Sequence, residues 1–291
     1  MKKILVPIFS LLYFYSSTYT HALKPNTFTN VQTLKNVAYG PHPQQVMDVY
    51  FPAKVHTNQT PAPLMMMVHG GAWKTGDKNH AAVVKNKLNY WNKRNWIFVS
   101  INYRLVPDVT VQQQTQDIAK ALIYIQNQAS HWHADSKRLV LMGHSAGAHL
   151  VSLLTVRPHW LSLQPQPWRA TVALDSAAYD IEKIMQTGHA RFYDQAFGDQ
   201  PSNWKDLSPV AQLHQALPAF LAVCSTIRVD QPCAQARQFI RQAQKFGTQT
   251  QLLPVRLSHA EINKSLGQNN AYTQAVNQFI RKRPLNPMPI F

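Results

Sequence analysis

Short apolar runs alternate with longer amphipathic stretches along most of this chain. The apolar runs lie at 46–51, 64–69, 96–102, 138–143, 171–175, 219–224 and 250–257. The run Met65-Met66-Met67-Val68 is apolar at every position, as a strand buried on both faces would be. Helix-length segments fall between the runs, at 80–94, 111–131, 145–156, 231–246 and 270–283. Within 111–131, Ile118, Leu122 and Ile125 recur at i, i+4 and i+7, the spacing of one helical face.

This alternation predicts an α/β protein whose mostly parallel central sheet carries helices on both faces. The Pro/Gln-rich pieces at 55–63 and 164–167 read as surface loops rather than linkers, and no internal repeat is present. Residues 179–217 break the rhythm with aromatic and polar side chains, as a cap inserted into the parent domain would. The expectation is a single domain over 23–291 with a small cap at 179–217.

The first 22 residues change the picture of where the chain works. Lys2 and Lys3 precede a largely apolar stretch from Ile4 to Tyr15, and Thr20-His21-Ala22 ends on a small residue. That is the order of a secretory signal peptide cleaved after Ala22, and the apolar run is short for a span of about 20 residues. A secreted or periplasmic protein with no stable membrane span is therefore expected. Its two cysteines, Cys224 and Cys233, would then form a disulfide in an oxidising compartment. Lys plus Arg number 29 against 13 Asp plus Glu, a balance that favours anionic surfaces or polysaccharide as partners. Nucleic acid is disfavoured by the export signal.

Gly143-His144-Ser145-Ala146-Gly147 has the form G-x-S-x-G, after a strand-like run and before a helix-like one. This is the setting of a nucleophile elbow, with Ser145 as nucleophile; the bland reading is a serine capping a helix. Upstream, His69-Gly70-Gly71-Ala72-Trp73 closes another apolar run. Small residues there let backbone N–H groups face a developing oxyanion, with Gly71, Ala72 and Ala146 as the expected donors. A serine needs a base, and the base an orienting carboxylate, in the chain order serine, acid, histidine. Only His259 follows the last strand-like run, so it is the expected base, while His149 should pack below the elbow. Asp230 is the expected acid, as the only Asp between Pro218 and His259; Asp175 and Asp206 are the alternatives. His131 and His133 do not converge as metal ligands would, and neither metal nor cofactor is expected. The basic stretch 74–94 reads as a solvated amphipathic helix rather than a phosphate-binding surface.

With these residues in hand the chain resembles the α/β-hydrolase superfamily, in its hormone-sensitive-lipase-like branch and particularly its bacterial feruloyl-esterase-like and carboxylesterase-like exported members. The resemblance runs from about Gln45 to Arg283. It rests on Met47-Asp48-Val49-Tyr50, His69 to Trp73, Ile101-Asn102-Tyr103-Arg104-Leu105, Asp117, Gly143 to Gly147, Ser208-Pro209 and Leu257-Ser258-His259. It implies a Ser145, Asp230, His259 triad and an oxyanion hole from Gly71, Ala72 and Ala146. Two departures stand out: Ala72 replaces a third glycine, and residues 225–229 lack the usual Gly-x-x-Asp turn. The implied activity is hydrolysis of small or aryl carboxylic esters through an acyl-enzyme. Amide or peptide hydrolysis with the same triad, and a non-catalytic binding protein on the same fold, are the competing readings.

Overall fold

The computed structural model describes residues 24–25, 32–53, 60–158 and 165–282; the expected signal segment 1–22 lies outside them. Its strands are β1 (Lys24–Pro25), β2 (Gln32–Ala38), β3 (Val46–Tyr50), β4 (Ala62–Val68), β5 (Ile97–Ile101), β6 (Ala134–His144), β7 (Ala170–Leu174), β8 (Ala219–Ser225) and β9 (Thr250–Val255). They form one sheet in the order β1-β2-β3-β5-β4-β6-β7-β8-β9. From β5 to β9 all pairings are parallel, whereas β1, β2 and β3 add an antiparallel edge. The mostly parallel sheet matches the sequence expectation; β1 and β2 were not expected.

The helices are α1 (Ala81–Asn92), α2 (Val111–Gln128), α3 (Ala146–Val156), α4 (Ile181–Met185), α5 (Arg191–Phe197), α6 (Pro201–Asp206), α7 (Pro209–Gln212), α8 (Pro232–Lys245), α9 (His259–Ser265) and α10 (Ala271–Arg281). Two apolar layers sandwich the sheet. Leu64, Met66 and Val68 pack in one layer with Ile118, Leu122, Leu150 and Phe239 from α2, α3 and α8. Met65 and Met67 face the other, with Trp91 of α1 and Val276 and Phe279 of α10. The period of two along β4 thus supplies both cores, and full burial of each such side chain contributes roughly 1.5–3 kcal/mol.

Ion pairs on two buried carboxylates and a buried lysine tie loops and helices to one another and to the sheet. Asp117 of α2 takes one edge of the Arg104 guanidinium through both its oxygens, each at 2.7 Å. Buried Lys78 pairs with buried Asp48 of β3 at 2.9 Å, and Lys35 reaches the same carboxylate at 2.7 Å. Lys87 is fully buried. Its Nζ donates to Ala82 O at 2.8 Å, Asn263 O at 2.6 Å and Asn263 Oδ1 at 2.8 Å, tying α1 to α9. Burial pushes its ammonium down to about 7. The reading of 74–94 as a solvated helix therefore needs correction, because Lys78 and Lys87 point inward and find partners there. Between β7 and β8 the chain forms α4 to α7, four short helices that depart from the strand–helix rhythm.

Candidate active site

The loops after β4, β6, β7, β8 and β9 converge at the carboxyl ends of the parallel strands, where such sheets place their ligand crevices. Their residues line a cavity of about 1460 Å³, which includes Ser145, Asp175, His259 and Gly71, and Phe192 and Tyr193 of α5.

Ser145 sits between β6 and α3 with φ 56° and ψ −121°, a backbone conformation that costs a non-glycine residue about 1–3 kcal/mol. Its N–H is tied to Leu174 O of the next strand at 2.9 Å. The glycines around it are there for space. A Cβ on Gly147 would come within 2.5 Å of the Val68 and His69 carbonyl oxygens, and one on Gly70 would lie 2.8 Å from the Ser145 Cβ. The loop after β4 is thereby brought flush against the serine. The serine is not a simple helix cap, because it makes no side-chain capping bond to α3.

Gly71, Ala72 and Trp73 all adopt positive φ (128°, 50° and 60°), and the turn closes through the Lys74 and Thr75 N–H groups on Gly71 O. Among the described residues no backbone acceptor takes the Gly71 or Ala72 N–H. Ala146 is the first residue of α3, whose N–H has no partner within a helix. The loop is pinned from behind. The Trp73 carbonyl accepts from Gln114 Nε2 at 2.7 Å, and the Trp73 indole N–H donates to His149 Nδ1 at 3.2 Å. An indole can only donate, so His149 carries its proton on Nε2, which donates to Leu207 O at 2.9 Å. Burial pushes this imidazole down to about 4, keeping it a neutral strut under the elbow that also reaches the segment between β7 and β8.

His259 opens α9, behind the capping pair Ser258 and Glu261. Its Nδ1 meets Asp175 Oδ2 at 2.6 Å, leaving Nε2 to act as a base. Asp175 directly follows β7 at φ 57° and is fully buried. Burial pushes its carboxyl up, but hydrogen bonds from His259, from Arg228 and from the Ser225 N–H outweigh that and hold it below the ordinary range. The Ser225 N–H donates to Oδ1 at 2.7 Å.

Asp230 does not meet His259. Its carboxylate takes one edge of Arg228, with Nε to Oδ1 at 2.9 Å and Nη2 to Oδ2, and its side chain is 46% exposed. The expectation that Asp230 faces the base is corrected on geometry: Asp175 stands one strand nearer the elbow, directly after the strand to which the Ser145 N–H is tied, and reaches the imidazole first. The run 171–175 had offered Asp175 as an alternative, but the order of strands along the chain favoured the later carboxylate. Cys224 and Cys233 are bonded as expected, closing the loop that carries Arg228 and Asp230.

Sequence reasoning also passed over His144 and Arg228. His144 Nε2 donates to His259 O at 3.0 Å, and the two rings lie 4.5 Å apart. Burial and the neighbouring His259 push His144 down to about 3, so it stays neutral. Its place inside G-x-S-x-G was the available signal. Arg228 could have been noticed as the one basic residue between the two cysteines.

Residues 47–241 match the model of the BD-FAE family. The chain is 26% identical to the esterase LipC of Mycobacterium tuberculosis over 220 residues, covering 71% of this chain and 54% of LipC. It spans about half the length of the curated relatives it matches. A carbohydrate esterase from gut microbiota, solved in truncated form, superimposes with a TM-score of 0.72 at 16% identity, covering 88% of this chain and 97% of that one. Esterase B from Lactobacillus rhamnosis does so with a TM-score of 0.70 at 20% identity, covering 86% and 85%. At such identities these two structures speak for the fold.

Proposed function

The chain belongs to the BD-FAE family, an esterase family of the α/β-hydrolase fold, and from that premise we propose that it is an exported carboxylic ester hydrolase whose triad is Ser145, Asp175 and His259. The observation that carries the reading is the 2.6 Å contact of His259 Nδ1 with buried Asp175, in a cavity shared with a serine at a strained elbow.

Ser145 Oγ attacks the ester carbonyl while His259 Nε2 takes its proton, and Asp175 holds the Nδ1–H and stabilises the imidazolium. The oxyanion is received by the N–H groups of Gly71, Ala72 and Ala146, each such bond being worth about a hundred- to a thousand-fold in rate. Collapse expels the alcohol, protonated by His259. Water, deprotonated by the same nitrogen, then attacks the acyl-enzyme and releases the acid.

The cavity is larger than the roughly 300–1,000 Å³ of ordinary small-molecule sites, and Phe192 and Tyr193 form part of its wall. The aromatic wall supports aryl acyl groups such as feruloyl, the volume leaves room for the alcohol part of a larger ester, and the net charge of +16 supports an anionic polymer as that alcohol. Export rests on the order of residues 2–22 and on the Cys224–Cys233 bond. The test is a panel of p-nitrophenyl esters of increasing chain length, with methyl ferulate and an aryl amide alongside. Ester turnover that prefers short or aryl acyl groups supports the proposal. Turnover of the amide alone favours the amidase reading, and an inactive, folded protein favours a binding role.

A further inference from the structure

Arg228 stands between two carboxylates and beside the base. Its Nη1 donates to Asp175 Oδ2 at 2.8 Å and to the Asp175 carbonyl at 3.1 Å, while its other edge is taken by Asp230. Nη1 also lies 2.9 Å from His259 Nδ1, the two donors converging on one carboxylate oxygen. With its N–H groups so engaged, Arg228 is not an open anion site, although it lines the cavity.

An arginine in this place poses an electrostatic problem. The imidazolium formed during acyl transfer depends on the charge of Asp175, and a lone guanidinium at 2.8 Å would cancel it. Asp230 removes the difficulty, since Asp175, Arg228 and Asp230 together carry one net negative charge, as a lone aspartate would. The Cys224–Cys233 bond closes the loop that delivers both residues.

We propose that Arg228 and Asp230 form a charge-balanced clamp on Asp175: Arg228 is a positioning residue that fixes the buried carboxylate against His259, and Asp230 restores the negative charge that Arg228 would otherwise neutralise. The inference rests on Asp175 and His259 being the acid and base of the proposed esterase.

The other charged or titratable groups facing His259 stay in place in the test. His144 from the end of β6 packs on its ring, Lys87 from α1 lies behind His144, and Glu261 caps its own helix. Tyr179 and Tyr272 are the phenols close enough to feel the charge of Asp175. Across the cavity stand His69, Asp77 and His80 after β4, and His189 and Tyr193 before β8.

The experiment is the pH dependence of kcat/KM for a p-nitrophenyl ester in R228M, D230N and the double variant, each first shown to be folded by circular dichroism. Removing the guanidinium leaves two negative charges beside His259, which favours its protonated form, so the acid limb of R228M should move up by about one pH unit. Removing the Asp230 charge leaves none, so the limb of D230N should move down, by about half a unit at its greater distance. The double variant restores one negative charge, and its limb should return to the wild-type position. Plateau kcat should fall roughly tenfold in R228M with little change in KM, because Asp175 loses its clamp. A merely structural role would lower activity without moving the limbs in opposite directions. Shifts of the same sign, or none, overturn the inference; should R228M fail to fold, the direction for D230N decides. D175N serves as the control: if it is folded and fully active, the triad reading fails, whereas an inactive D175N with unmoved limbs sinks only the clamp.

Discussion

Asp175→Asn is the most informative single change, because the carboxylate accepts from three donors that an amide cannot satisfy together. Oδ1 takes the Ser225 N–H at 2.7 Å, and Oδ2 takes His259 Nδ1 at 2.6 Å and Arg228 Nη1 at 2.8 Å. If the amide oxygen keeps Ser225, the NH₂ group faces His259 and Arg228. It then donates to Nδ1, shifts the imidazole proton to Nε2 and removes the base, while standing donor-to-donor against the guanidinium. The wrong tautomer costs about 10⁴ in kcat in serine proteases, which corresponds to about 5.4 kcal/mol. Breaking a buried pair costs about 3–5 kcal/mol, and because Arg228 keeps Asp230 the lower end is expected. For a protein of this size that lowers Tm by roughly 6–12 °C. The stability loss has a defined pH dependence. The Asp175 carboxyl lies below its ordinary value in the fold, so its contribution is complete above the unfolded aspartate value of about 3.9 and disappears as pH falls through the folded one. Stopped-assay kcat for an aryl ester, with thermal melts at pH 7 and at acid pH, would measure both effects. Folded Asp175→Asn with kcat within tenfold of wild type would refute the assignment.

Two further outcomes follow from the same geometry. Lys87→Met strands three acceptors and should destabilise by about 2–4 kcal/mol in denaturant melts at pH 7. Because burial holds the Lys87 ammonium near 7, below its unfolded value, the wild type should gain further on the variant between pH 7 and about 10, at up to roughly 1.4 kcal/mol per pH unit; a difference that shrinks with rising pH would contradict this. Replacing Cys224 and Cys233 together by serine should cost about 2–3 kcal/mol through the opened loop and lower kcat by loosening Arg228, so unchanged kcat in the folded variant would separate the disulfide from the site.

The sheet was legible because its signal is local. Runs such as Met65 to Val68 declare burial on both faces, and Ile118, Leu122 and Ile125 declare a helical face. Strand β2 was missed because it is half exposed and irregular at its middle, where Asn36 has φ 53° and the register shifts. Ser145, His259 and the Gly71–Ala72 turn were readable because each follows a strand-like run at the expected point in the chain. Asp175 was harder to place. Which carboxylate meets His259 is decided by spatial neighbours, here the adjacency of β7 to β6, and chain order favoured Asp230 instead. Lys87 was misread for a related reason: a lysine on an amphipathic stretch looks solvated until the fold brings the Asn263 carbonyl and side chain within reach.

The central claim is that Ser145 is the acylated residue of an esterase. Rapid quench of the protein with a slow-turnover aryl ester, followed by peptide mass spectrometry, should place one acyl group on the peptide containing Ser145 and none in Ser145→Ala, which should also lose turnover. Acyl transfer to another residue, or a folded Ser145→Ala that still hydrolyses the ester at the wild-type rate, would contradict the account.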